Sequence, residues 1–313
     1  MTESTAANTP EHPNPGAAAM DAGDLRSQFA LYKELSKPRI AWMVLVTISL
    51  GYGIGCKGNW NWWVWLNTIV GAGLLTAASS AWNQWLEQHS DQKMTRTQVR
   101  PLPSGRISTG EVAVFGMVTS VLGTVQLILL VDPITAWITF STFLLYVFVY
   151  TPMKRWTSLA TAVGAIPGAL PPVIGWTAAG QPLGWEALSL FLILFLWQFP
   201  HFWAIAWLYQ QQYAEAGLRM VPFGQPKRGV IGGLSVLFAV LLLACSWMPV
   251  WLGMSGIVYG VIAILFGLAY LWYSLKFSWN ESRPTARAVL FCSLFYLPTV
   301  LLALVLNHYW RVM

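Results

Sequence analysis

The stretch "WWVWLNTIVGAGLLTAASSAWN" (62–83) runs without a charge into "QWLEQHSDQKMTRTQVRPLPSGR" (84–106), which holds two carboxylates, a histidine and four basic residues. A helix needs about 20 apolar residues to cross roughly 30 Å of hydrocarbon, and the first piece is long enough. Eight more blocks of this kind flank it. They predict nine spans, at about 40–56, 62–83, 110–131, 134–151, 158–178, 186–209, 231–251, 254–275 and 288–306. The chain of 313 residues is 56% hydrophobic and only 10% charged, too few charges to coat a soluble protein of this size. The fold class is therefore an all-α polytopic membrane protein with nine transmembrane helices.

The 18 Lys and Arg residues test this division. Sixteen fall before the first span or in the loops after the second, fourth, sixth and eighth, leaving Lys57 and Arg311 for the other side. Positive residues mark the cytoplasmic side, which puts the N-terminus inside and the C-terminus outside. The net charge of +6 follows from this sidedness and does not point to nucleic acid. "NWNWWVW" (59–65) reads as an interfacial aromatic belt. Residues 1–24 carry no Lys or Arg and are rich in Ala, Pro and Thr. They predict a disordered tail, taken as 1–30, ahead of one intramembrane domain at 31–313. With neither a signal-peptide nor a transit-peptide pattern, the simplest address is a bacterial cytoplasmic (inner) membrane. The three cysteines show no metal or disulfide spacing.

Acidic residues near a membrane are costly, so each needs a reason. Glu111 and Glu186 stand near helix starts, where negative charge suits the dipole. Asp132 lies in a turn before Pro133, and Glu281 in a polar loop near Arg283. Asn83, Glu87 and Asp91 differ. Their i, i+4, i+8 spacing puts them on one face if the second span continues as helix. An amide and two carboxylates offer hard oxygens to a divalent cation, and Mg²⁺ favours such a set when it also carries phosphate and water. Lys93, Arg96 and Arg100 follow, and basic groups beside such a site suit a diphosphate. The same spacing equally describes a solvated helix end with local ion pairs. In "LWQFPHFWAIAWLYQQQYAEAGLRMVP", His201 and Gln212 lie eleven residues apart and are expected on one face, with Gln198 close to it. A histidine there suits a carboxylate or a metal, haem iron included, or simple packing between aromatics.

These pieces together resemble the intramembrane prenyltransferases of the UbiA type, and among them the haem branch, the protohaem IX farnesyltransferases. The likeness covers about residues 31 to 306. It begins at "ELSKPRI" (34–40) and is densest from Asn83 to Gly105. It continues in "YTPMKRWT" (150–157), "GAIPGALPPVIGW", "WQFPHFWAIAW" and "YAEAGLRMVP". The resemblance implies a nine-helix bundle around a central cavity open to lipid. It implies farnesyl diphosphate and protohaem IX (haem B) as substrates, Mg²⁺ as cofactor, and haem O as product. Asn83, Glu87 and Asp91 become metal and diphosphate ligands. Arg96, Arg100, Lys154 and Arg155 neutralise the leaving group. His201 meets the haem, at iron or at a propionate, and a haem A synthase is the implied protein partner. Two departures stand out. Gln211 and Gln212 replace the family's second acidic pair, and His89 stands where the family often has Asp. Either one Mg²⁺ suffices, or Glu215 lends a carboxylate, or activity is weakened. The rival readings are a quinone-type acceptor, a transporter, and a non-catalytic paralogue that binds haem or an isoprenoid.

Overall fold

The computed structural model describes residues 22–218 and 229–312. The expected tail up to residue 21 lies outside the described residues, as do Arg219, Lys227, Arg228 and the end of "AGLRMVP". All regular structure among the described residues is helical. The helices are α1 Ala22–Leu35, α2 Pro38–Gly55, α3 Trp62–Asp91 and α4 Thr109–Leu130. Next come α5 Pro133–Met153, α6 Ala160–Ala169, α7 Pro171–Ala178 and α8 Trp185–Leu208. The chain ends with α9 Gln210–Glu215, α10 Val230–Trp251, α11 Ile257–Trp279 and α12 Arg283–Val312.

Eight of these helices, α2 to α5, α8 and α10 to α12, are long and apolar enough to cross a membrane. The chain is a multi-pass membrane protein. The segment expected as a single fifth span, 158–178, is instead the pair α6 and α7, which meet at Leu170. Pro171 and Pro172 supply no N–H and clash with the preceding turn, so a continuous helix ladder breaks there. Residues 22–30, assigned to the tail from composition, are helical. That segment lacks Pro, and α1 is anchored at its far end by the fully buried Leu35.

Helix caps account for three of the acids outside the charged cluster, Glu111, Asp132 and Glu281. Asn61 starts α3 by accepting from the backbone of Trp63 and Val64, while the rings of Trp62 and Trp63 stay exposed. Ser108 and Glu111 form a reciprocal capping box on α4, and Asp132 accepts from the Thr135 N–H to start α5. Glu281 caps α10 through the Gly232 N–H at 2.9 Å, instead of pairing with Arg283.

α8 is the central element, with 61% of its most apolar stretch buried, against 33% in α10, α11 and α12. α10 and α12 pack on it, α6 crosses it, and α12 returns to α2 to close the ring. The α2–α7 crossing is the tightest. A Cβ on Gly51 would fall 2.0 Å from the Pro172 carbonyl oxygen, and one on Gly175 would fall 1.9 Å from the Ile48 oxygen. Both clashes are with backbone, which no rotamer change relieves. Gly175→Val is expected to cost at least about 1–3 kcal/mol and to lower the melting temperature of the purified protein. Gly110→Ala meets nothing within 4 Å and should hold or raise it.

Candidate active site

α3 does not stop at 83 but runs on to Asp91. Asn83, Glu87 and Asp91 therefore share one face, and each is buried. Three other segments bring cations to that face. The first is the turn before α2. Lys37 has φ 49°, in the left-handed region, although it precedes proline, which favours extended backbone. The strain is offset by position: Lys37 Nζ donates to Asn83 Oδ1 at 2.9 Å. Burial, then repulsion from Arg100 and Lys154, pushes its ammonium down to about 7.

The second is the end of α5. Pro152 cannot continue an ordinary ladder, and the turn just before it, Leu145–Tyr150, widens to a π-helix. That widening lets Thr151 Oγ1 donate to the Tyr146 carbonyl at 2.8 Å while it accepts from Asn83 Nδ2 at 3.2 Å. It also turns Lys154 towards α3, where Nζ reaches Glu87 Oε1 at 2.9 Å. Glu87 Oε2 accepts from Asn83 Nδ2 at 2.9 Å, so both of its oxygens are engaged.

The third is the loop after α3. Leu102, between two prolines, is buried with Leu35, Ala81, Ile107 and Val112, and Gly105 turns the chain at φ 74°. Thr97 Oγ1 donates to the Asp91 carbonyl at 2.9 Å, and Arg100 Nη1 donates to Asp91 Oδ2 at 2.6 Å. Arg106 forks onto Glu34 at 2.8 Å to both oxygens and ties this loop to α1. Both side chains are over 40% exposed, so this pair adds little stability.

Lys37, Arg100 and Lys154 thus surround two carboxylates, leaving an excess positive charge in a buried site. Such a site wants an anion. The carboxylate of Asp91 and the oxygens of Asn83 and Glu87 are all hard donors, which fits a divalent cation bound together with that anion.

The other predicted residues lie differently. Arg96 is exposed at the rim, with Cζ 5.7 Å from the Tyr209 ring and Nη2 3.5 Å from the Tyr213 hydroxyl. Arg155 is exposed and donates to the Leu86 carbonyl at 2.7 Å, not to a carboxylate. His89 is exposed, outside the buried face. His201 and Gln212 are not on one continuous helix, because α8 ends at Leu208 and Tyr209 breaks the ladder. The chain turns there so that Tyr213 and Ala216 bury against Met94. Gln211 and Glu215 are exposed and bond to each other at 3.2 Å. Gln198 is a packing residue. Its amide donates to the Ala165 carbonyl at 3.2 Å, a close approach allowed by Gly168, where a Cβ would stand 2.1 Å from Gln198 Oε1. His201 Nδ1 meets Ser293 Oγ at 2.7 Å. The sequence reading missed Lys37 and Thr151 as members of the site. Lys37 stands in the quoted "ELSKPRI", so the signal was present; Thr151 depends on the π turn.

The model of the UbiA prenyltransferase family matches residues 44–308. The chain belongs to this family. This UbiA-family chain is 44% identical over 278 residues to a protoheme IX farnesyltransferase of Solibacter usitatus, covering 86% of this chain and 95% of that one. It is 36% identical over 306 residues to a protoheme IX farnesyltransferase of Koribacter versatilis, covering 95% and 96%. Among solved structures, a chain from work on digeranylgeranylglyceryl phosphate synthase in membranes superposes with a TM-score of 0.79 at 17% identity, covering 90% of this chain and 99% of that one. A UbiA homolog from Archaeoglobus fulgidus bound to GPP and Mg²⁺ superposes with a TM-score of 0.64 at 16% identity, covering 88% and 99%. At these identities the structural likenesses carry the fold of this UbiA prenyltransferase.

Proposed function

We propose that this prenyltransferase moves the farnesyl group of farnesyl diphosphate onto a vinyl group of protohaem IX (haem B), giving haem O and free diphosphate. The observation that carries the reading is the buried, positively charged mouth in which Lys37, Arg100 and Lys154 surround Asn83, Glu87 and Asp91. The shared name of the two bacterial relatives supports the substrates. Asn83, Glu87 and Asp91 hold Mg²⁺, which when bound stabilises charge on the departing diphosphate.

The chain's own groups do the rest. As the diphosphate enters, Lys154 and Arg100 exchange their carboxylate partners for phosphate oxygens, and Lys37 regains a full counter-charge. Arg96 at the rim closes on the outer phosphate, and Arg155 joins only by leaving the Leu86 carbonyl. These donors are aimed where negative charge grows as the allylic C–O bond breaks. The vinyl carbon forms the new C–C bond, water adds hydroxide to the resulting cation, and its proton leaves to solvent. Aromatic rings along the interior stabilise the cation-like carbon and keep stray water out. His201 contacts the haem. One Mg²⁺ suffices, because Gln211 and Glu215 are exposed and engaged with each other. Charge sidedness supports a cytoplasmic mouth and N-terminus and an outer C-terminus, with the broken pair α6 and α7 taken as a ninth crossing, in a bacterial inner membrane where a haem A synthase consumes the product.

The test is product mass. Purified protein with haem B, farnesyl diphosphate and Mg²⁺ is expected to yield haem O, and the yield should vanish with excess chelator. Farnesylation of a quinone-type acceptor in competition, with haem left unchanged, would overturn the reading.

A further inference from the structure

We propose that Ser293 sets the tautomer of His201, so that His201 offers the lone pair of Nε2 to the iron of protohaem and does not donate to a propionate; this rests on the haem-acceptor reading above. Ser293 Oγ lies 2.6 Å from the Leu290 carbonyl oxygen. A carbonyl cannot donate, so in the arrangement we infer the single hydroxyl proton goes to that oxygen and not to His201 or to the neighbouring Tyr270 hydroxyl. The same Oγ lies 2.7 Å from His201 Nδ1, and towards that nitrogen it can only accept. Nδ1 therefore carries the proton. In the neutral ring Nε2 is left with a lone pair and nothing to donate. Nε2 has no hydrogen-bond partner among the described residues, and it is not one of their buried unpartnered atoms. A bare imidazole nitrogen ligates iron, while a carboxylate would need a proton from it.

The ring is also held in place. Trp197 stacks on it with centroids 5.0 Å apart and planes 26° from parallel. The Trp197 indole N–H donates to the Ser293 carbonyl at 2.8 Å, and the Tyr270 hydroxyl donates to the Trp197 carbonyl at 3.1 Å. α8, α11 and α12 thus converge on one imidazole. His201 precedes Tyr209 by eight residues, about 12 Å along the helix axis from the rim where Arg96 sits. Such an offset suits an acceptor whose vinyl group, and not its iron, must meet the allylic carbon.

Ser293 acts here as a positioning residue. The experiment titrates full-length wild type, Ser293→Ala, Ser293→Thr and His201→Ala with ferric haem B, read by absorbance and electron paramagnetic resonance, alongside turnover. Wild type is expected to show nitrogen-ligated iron and His201→Ala to lose that signature. Ser293→Ala should bind haem about tenfold more weakly with mixed ligation, and lower kcat at unchanged KM for farnesyl diphosphate. Ser293→Thr keeps the hydroxyl and should restore the wild-type spectrum. His201→Ala leaves the Ser293–Leu290 bond intact and reads the iron contact even if Ser293→Ala fails to fold. A wild type that binds no haem removes the acceptor reading and this inference with it. Haem O formed by a wild type whose spectrum is unchanged in His201→Ala or in Ser293→Ala leaves the acceptor reading standing and overturns this one.

Discussion

Asp91→Asn is expected to lower farnesyl transfer by about 10²–10³-fold while the protein stays folded, a loss of the size seen when one oriented electrostatic group is removed. Asn is isosteric, and its carbonyl oxygen can still accept from Arg100, which now reaches Asp91 Oδ2 at 2.6 Å. What disappears is the negative charge and one of the two carboxylate oxygens. A metal needs that charge, and packing does not. Turnover measured beside thermal stability separates the two roles. Activity within tenfold of wild type at saturating Mg²⁺ would mean that Asp91 is only the partner of Arg100.

Lys154→Met is expected to destabilise the protein by about 3 kcal/mol, the lower end for removing one partner of a buried ion pair. The side chains of Lys154 and Glu87 are only 12% and 8% exposed and lie 2.9 Å apart, so water cannot replace the lost cation. Lys37 is near enough to feel the charge of Glu87, which holds the cost at that lower end. Adding Glu87→Met to Lys154→Met should recover most of the stability, since two apolar groups replace two charges, yet leave the enzyme inactive. Denaturant midpoints of the single and double variants give the coupling. A double variant no more stable than Lys154→Met would show that the pair is not the source of the loss.

The legible part of the site was its linear part. Asn83, Glu87 and Asp91 could be paired from spacing, because a helix repeats every 3.6 residues and α3 continues to Asp91. Arg100 followed from its place in the next loop. Spacing could not separate Lys154 from Arg155, because adjacent residues on a turn point different ways: Lys154 reaches Glu87, and Arg155 reaches the Leu86 carbonyl. The shared face of His201 and Gln212 failed for a related reason. Helical periodicity holds only while the helix is unbroken, and Tyr209 breaks it.

By itself the sequence determined that this chain crosses a membrane many times, where its charged mouth lies, and which family it belongs to. Those properties rest on run length, charge sidedness and local motif spacing, all of which act between near neighbours in the chain. Only the tertiary structure decided that the fifth segment is broken, that Lys37 and Thr151 complete the mouth, and that Ser293 faces His201. Lys37 and Asn83 are 46 residues apart, and His201 and Ser293 are 92 apart. Contacts over such separations are set by how helices pack, through close backbone crossings such as Gly51 on Pro172, and packing leaves no period in the sequence to read.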